Sequence, residues 1–335
     1  AGFRPEFEIW LASALVVSLI LHARMGFALS RAQIEIDMLK SLSDRCEADP
    51  EKGAQEVAPL FSLDEPAIRA LTSADRAMLE RVRGAVENDR LDLYLQPIVS
   101  LPQRKVRYYE AFSRMRDANG ALLRPGDYLD AAERANRIGV IDNMILLRCI
   151  QALARIEQQS GRCAIFCNIS PATLYDTEFF NHFTDYLEMN RGLAQRLIFE
   201  FTYPAVCMTH PRFEENLSAI ARRGFMFSID HVHSLDLDWP ALRARNFRYA
   251  KAPAALLRAA AGADASGALL RGYRKRIEDA GVDLIAEKIE FESDMPEILA
   301  LGLDYGQGNL FGPPQPALHY LTGADAPTPP LAKAS

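Results

Sequence analysis

The stretch "GFMFSIDHVHS", residues 224–234, is an apolar run that stops on an acid. Gly224 punctuates its start, Phe225 to Ile229 read as a short buried strand, and Asp230 falls where that strand should end. Placing a carboxylate there is costly unless something compensates its charge. Runs of the same kind recur through the rest of the chain: "LDLYLQPIVS", "VRYYEAFSRM", "CAIFCNIS", "RLIFEFT", "FRYAKA", "DLIAEKI" and "YGQGNLF". Helical patterns lie between most of them, at 140–158, 171–190, 210–223, 265–280 and 292–301. About eight strands with intervening helices predict a TIM-like (β/α)8 barrel, an α/β fold. The short connection "LPQRKV" between the first two strands predicts a hairpin, so the barrel should depart from all-parallel order.

Barrels of this class carry their chemistry at the carboxyl ends of the strands. Read in order, those ends carry Glu110, Asn168, Glu200, Asp230, Lys251, Glu287 and Gln307. Any one of them has an ordinary structural explanation, such as a helix cap or a surface charge. Together they place carboxylates in one mouth, which requires cations or a donor-rich ligand. Oxygen donors from Glu, Asp and Asn suit Mg²⁺ or Mn²⁺. Two such ions can clamp a phosphodiester.

The bulk composition narrows the classes. The 335 residues are 49% hydrophobic and 24% charged, with a net charge of −6. No basic face points to DNA or RNA. Five cysteines, Cys46, Cys149, Cys163, Cys167 and Cys207, include no Cys-x-x-Cys pair and read as free thiols in a reducing compartment. Residues 9–21, "IWLASALVVSLIL", extend to about Phe27 as a transmembrane helix. Glu6 and Glu8 before the run argue against a signal peptide, and Arg24, Arg31 and Lys40 after it favour a cytoplasmic C-terminal side. The chain starts at Ala1 rather than a methionine, which leaves room for more membrane sequence upstream. Leu29, Ala32, Ile36 and Leu39 predict a short helical seam able to pair two copies. The expected organisation is a membrane segment at 1–28, a helical spacer and linker at 29–74, the barrel at 75–318 and a disordered tail at 319–335.

The strand-end motifs resemble those of the EAL domains, bacterial modules that hydrolyse or sense cyclic di-GMP. "YLQPIVSL" with "YYEAFSRM" is similar to the family opening, with Glu-Ala-Phe at 110–112 for Glu-Ala-Leu. "CNISP", "FEFTYP", "AEKIE" and "DYGQGNLFGPPQP" follow in the family's order. The resemblance implies that Glu110, Asn168, Glu200 and Asp230 hold a first Mg²⁺ or Mn²⁺ ion. It implies that Lys251 lies near the attacking water, that Glu287 is the catalytic glutamate, and that Glu290 supports the loop of the site. Gln96, Arg114 and Gln307 match contacts to the dinucleotide. The expected ligand set is thus Gln96, Glu110, Arg114, Asn168, Asp230, Lys251, Glu290 and Gln307.

The departures are local. The family has Asp-Asp-Phe-Gly-Thr-Gly where this chain has Asp230, His231 and no glycine turn, and Tyr203 replaces the second Glu of Glu-x-Thr-Glu. The second ion's carboxylate is therefore lost, and a nitrogen donor disfavours Mg²⁺. A new metal site on His231 and His233 would need further ligands, and the sequence predicts none nearby. The expectation is a membrane-anchored, degenerate EAL receptor for cyclic di-GMP with one ion or none; the alternative is a slow cyclic di-GMP phosphodiesterase. The layout of membrane helix, short spacer and degenerate domain is similar to that of receptors in polar flagellum assembly. It adds flagellar or polar proteins and a homodimer through the spacer and EAL domain to the expected partners.

Overall fold

A computed structural model describes residues 71–321, apart from 136, 159–162, 176–179, 181–182, 185–186, 209 and 264–266. The expected membrane helix, the helical seam and most of the linker lie outside the described residues, as does residue 322 onward. Among the described residues, no helix is long and apolar enough to cross a membrane.

The domain opens with the helix Ser73–Glu87, whose start is fixed by a capping box: Asp75 N–H donates to Thr72 Oγ1, and the Asp75 carboxylate accepts from Thr72. Ten strands follow: β1 (Leu91–Ser100), β2 (Lys105–Arg116), β3 (Leu122–Leu123), β4 (Ala164–Asn168), β5 (Leu197–Thr202), β6 (Met226–Asp230), β7 (Phe247–Pro253), β8 (Asp283–Glu287), β9 (Tyr305–Gln307) and β10 (Gln315–Pro316). Eight of them close a ring in the order β1-β9-β8-β7-β6-β5-β4-β2, with β2 returning to β1; β3 and β10 flank it. The (β/α)8 expectation therefore holds, as does the hairpin. β1 runs antiparallel to both β2 and β9, while the ladders from β2 through β4 to β9 are parallel. Two expected details change. Glu110 lies inside β2 rather than at its end, because the hairpin carries β2 on to Arg116. "YGQGNLF" is strand only over Tyr305–Gln307. At the far boundary, the helix Ala317–Leu321 runs three residues past the expected domain end at 318.

Two apolar layers hold the ring. The larger lies between the strands and the surrounding helices. The smaller fills the lumen: Ile98, Phe166, Ile198, Tyr249 and Ile285, with Tyr108 and Tyr305 packed against them. Tyr108 meets Phe166, Tyr249 and Tyr305 edge-on at centroid distances of 5.5, 5.5 and 5.3 Å. Each such side chain, fully buried, contributes about 2 kcal/mol. This aromatic plug forms the floor beneath the strand ends, so the polar residues above it are held on a rigid, dry base.

Candidate functional site

The polar residues begin one layer above the plug. Alternation along β2 puts Tyr108, Glu110, Phe112 and Arg114 on one face, and alternation on β6 does the same for Ser228 and Asp230. Lys251 lies with its Nζ 5.1 Å from the centre of the Phe166 ring and is wholly buried. It donates to Glu110 Oε2 at 2.7 Å and to Glu200 Oε2 at 2.6 Å. Burial alone would discharge this amine, but the charges of Glu110, Glu200 and Asp230 outweigh it and hold its pKa above the ordinary lysine range. Ser228 Oγ donates to Glu200 Oε1 at 2.7 Å. Gln307 Nε2 donates to Glu110 Oε2 at 2.6 Å and to Gln96 Oε1 at 3.1 Å, and Gln96 Nε2 donates to the Gly312 carbonyl at 3.2 Å. Asn168 Nδ2 donates to Glu110 Oε1 at 3.1 Å.

Glu110, Asn168, Glu200, Lys251, Gln96 and Gln307 are thus brought into one network. Three of the four residues expected to hold Mg²⁺ or Mn²⁺, Glu110, Asn168 and Glu200, meet in this network. Both oxygens of Glu110 and of Glu200 already accept from protein donors, and the Lys251 ammonium supplies the neutralising charge. A cation between these carboxylates would have to displace that ammonium.

Asp230 belongs instead to a second group. His231 Nδ1 lies 2.5 Å from Asp230 Oδ2 and 3.9 Å from Glu287 Oε2. Burial works against the Asp230 charge, but the His231 hydrogen bond and the Lys251 charge hold its pKa below the usual value. Burial, then the Asp230 charge, pushes the Glu287 carboxyl up. The Asp230 hydrogen bond raises His231. His231 takes a left-handed backbone conformation, φ 54°, one that histidine tolerates better than most residues. His233 does not join this group; its ring packs on Tyr203 at 5.3 Å.

The other expected ligands sit farther out. Arg114 is half-buried, donates to its neighbour's carbonyl (Ser113 O, 2.8 Å) and lies over the Tyr94 and Phe112 rings at 5.5 and 5.7 Å. Four residues of strand separate it from Glu110, about 13 Å, so it overlooks the network without joining it. Glu290 is exposed and accepts from Asn309 Nδ2 at 2.6 Å, tying two loops at the rim. Those loops press together so closely that a Cβ on Gly308 would stand 2.0 Å from the Ile289 carbonyl oxygen, which explains the glycine and why β9 ends before it.

Two contributors escaped sequence reasoning. Ser228 could have been found, since it precedes Asp230 by two residues on the same face. Asp142 had no local signal. It projects from the helix Ile138–Gln158, accepts from Ser170 N–H at 2.8 Å and from the Thr173 hydroxyl, and so fixes the turn that follows Asn168. Burial raises its pKa from the usual 3.8 to about 7, against the pull of those two hydrogen bonds. The folded chain therefore holds this proton more tightly than the unfolded chain. Its destabilising cost is absent below about pH 4, grows as pH rises, and is complete above about pH 7, at about 4 kcal/mol for a shift of this size. Asp142→Asn should remove that part of the slope. Thermal unfolding of both proteins at pH 5 and pH 7.5 checks it, and parallel pH profiles would count against it.

An eight-stranded α/β ring with a carboxylate, amide and lysine cluster at its mouth defines the fold class. The family comparison then names it: the EAL domain profile matches residues 79–314, and the chain belongs to the EAL domain family. It is similar to the cyclic di-GMP phosphodiesterase PdeB of Shewanella oneidensis, 24% identical over 285 residues, covering 85% of this chain and 33% of that protein. It is also similar to the cyclic di-GMP phosphodiesterase PdeF of Escherichia coli, 26% identical over 247 residues, covering 73% of this chain and 32% of that one. The chain spans about a third of the length of these relatives. Among solved structures, it shares its fold with the PaMucR phosphodiesterase in complex with c-di-GMP (22% identity, TM-score 0.62, 73% of this chain and 99% of that one). It also shares it with the Xanthomonas citri FimX EAL domain in complex with c-diGMP (21% identity, TM-score 0.62, 72% and 94%).

Proposed function

We propose that this chain is a cyclic di-GMP receptor with little or no hydrolysis, held at the membrane. The observation that carries the reading is the preorganised mouth: Gln307 donates to both Gln96 and Glu110, and the Lys251 ammonium neutralises the Glu110 and Glu200 carboxylates. Such a site is prepared to accept a polar ligand. It is poorly prepared for two-ion hydrolysis, because His231 stands where the family pattern supplies a carboxylate. Arg114, held over two rings, supplies a guanidinium for a phosphate. A slow phosphodiesterase is the second reading; the buried Glu287 carboxylate and the retained Lys251 favour it.

The apolar run at 9–27 serves as an anchor in the bacterial inner membrane with the EAL domain on the cytoplasmic side. Control of flagellum assembly or motility, through flagellar or polar proteins and a homodimer paired through the spacer and EAL domain, is the proposed output.

Calorimetry of the full chain in detergent, with EDTA present, is expected to give a Kd for cyclic di-GMP of about 1 μM or tighter, roughly −8 kcal/mol. Arg114→Ala should weaken it about tenfold or more, since a charge-assisted hydrogen bond is worth ~1.5–3 kcal/mol. Neither heat nor thermal shift at millimolar nucleotide would sink the receptor reading. The same protein should sediment with membranes; recovery without detergent in the soluble fraction would refute the anchor.

A further inference from the structure

A cavity of about 500 Å³ opens at the other end of the barrel, where strands β5 to β8 begin, with Gln195, Arg243, Arg248 and Asp283 in its lining. That volume lies in the ordinary range for small-molecule sites. The strands themselves separate it from the nucleotide mouth. Arg248 precedes Lys251 by three residues on β7, about 10 Å, and Asp283 precedes Glu287 by four on β8, about 13 Å. Two guanidinium groups reach the cavity by different routes. Arg248 is the extra residue of a β-bulge: Phe227 and Ser228 are consecutive on β6, but their partners on β7 are Phe247 and Tyr249. A bulge frees its extra residue from the ladder and re-aims the side chain. Asn246, left-handed at φ 70°, accepts from Arg248 Nε at 3.0 Å and donates through Nδ2 to the Phe225 carbonyl at 2.6 Å. That bond fixes the guanidinium through Nε and spares its two Nη atoms. Arg243 comes from the last turn of the helix Trp239–Ala244 and lies against the turn at Gly281, where a Cβ would stand 3.3 Å from its Nε. Its Nη1 is buried and has no hydrogen-bond partner among the described residues. A buried donor left unpaired in this way costs free energy that an oxyanion would recover.

We infer that this cavity is a second ligand site, for a small phosphorylated molecule of the sugar-phosphate class, with Arg243 and Arg248 holding the phosphate. The planar guanidinium fork matches phosphate oxygens and pairs with them through charge-assisted bonds. Two forks arriving from different elements favour phosphate over carboxylate, because a tetrahedral group presents terminal oxygens in more than one plane. The cavity is far larger than a phosphate ion, so it also takes a polar body. Gln195 and Asp283 are exposed in its lining and offer that body acceptors for hydroxyl groups. Solvent screens the Asp283 charge, and two cations stand against this one acid. The site shares no residue with the nucleotide mouth, and the inference does not depend on nucleotide binding.

The test uses the full chain in detergent at low ionic strength, where phosphate contacts are least screened, with ribose 5-phosphate as the probe. Calorimetry should show one equivalent bound with a Kd below about 1 mM, weaker binding of inorganic phosphate, and none of ribose. Arg243→Gln and Arg248→Gln should each weaken ribose 5-phosphate at least about tenfold, the loss expected for one charge-assisted hydrogen bond. Arg248→Lys keeps the charge but not the fork and should recover only part of the affinity. Gln195→Glu changes an exposed residue, sets a like charge near the phosphate, and should weaken binding with the fold intact. The ligand should raise the Tm of wild type by mass action and leave that of Arg243→Gln in place, which separates lost binding from lost folding. Arg114→Ala and saturating cyclic di-GMP should leave ribose 5-phosphate binding unchanged. Absence of saturable binding up to about 10 mM overturns the inference, and so does equal affinity in wild type and both glutamine variants. Displacement by cyclic di-GMP, or loss of binding in Arg114→Ala, would put the phosphate in the mouth and overturn it as well.

Discussion

Incubated with cyclic di-GMP and Mg²⁺ or Mn²⁺, the protein should release linear dinucleotide far more slowly than about 1 s⁻¹, the scale of a working enzyme. Two-ion hydrolysis puts one ion on the attacking water and uses both to stabilise developing charge. Here the oxygens of Glu110 and Glu200 are committed to Lys251, Ser228, Asn168 and Gln307. His231, in place of a carboxylate, holds Asp230 instead. Substrate can be bound in such a site and still be poorly activated. His231→Asp alone should not restore turnover, because the glycine-bearing turn is absent and Tyr203 remains packed on His233. Replacing residues 231–235 with Asp-Phe-Gly-Thr-Gly, together with Tyr203→Glu, should raise the rate, and Glu110→Ala in that background should abolish it. If the unmodified protein turns over near 1 s⁻¹ and Glu110→Ala removes that activity, the phosphodiesterase reading replaces the receptor reading.

Loss of the Lys251 ammonium should be the most damaging single change in the barrel. The amine is 0% exposed and sits between two buried carboxylates. Lys251→Met leaves Glu110 and Glu200 facing each other without their cation, and breaking a buried pair in this way costs about 3–5 kcal/mol. In a domain of this size that corresponds to a fall in Tm of about 10 °C. Adding Glu200→Gln to Lys251→Met removes one of the stranded charges and should recover part of the loss. Thermal unfolding followed by circular dichroism reads both; a single variant melting within about 2 °C of wild type would mean that water reaches this cluster and shares its charge.

The ring strands were legible because each is an apolar run bounded by turn residues, and the strand-end residues were legible because they interrupt those runs. Asn168, Asp230, Glu287 and Gln307 are indeed the last residues of their strands. Partner choice was not legible. Lys251 was expected beside a water or phosphate, and its burial between Glu110 and Glu200 follows only from how β2, β5 and β7 bring their inward faces together. Asp142 reads as one polar residue in a helix, and only tertiary packing sets it against Ser170 and Thr173. The end of β9 at Gln307 is decided by the press of Ile289 on Gly308, a contact between segments that no local pattern records.

The reversed first strand has a consequence for the order in which the chain can become competent. The β1–β2 hairpin is local and can form within microseconds, while the rest of the domain is still unstructured. The other edge of β1 waits for β9, and Gln96 meets Gln307 across 211 residues of sequence. Contacts so distant form late, because chain entropy must be spent before they return anything. Gln307 supplies the bonds to both Gln96 and Glu110, so the proposed ligand site is also the clasp that shuts the ring. A molecule seated on that clasp binds only the closed ring and, by mass action, keeps it closed. A chain ending before Tyr305 would keep Gln96, Glu110 and Lys251 and still lack the strand that joins β8 to β1 and closes the ring.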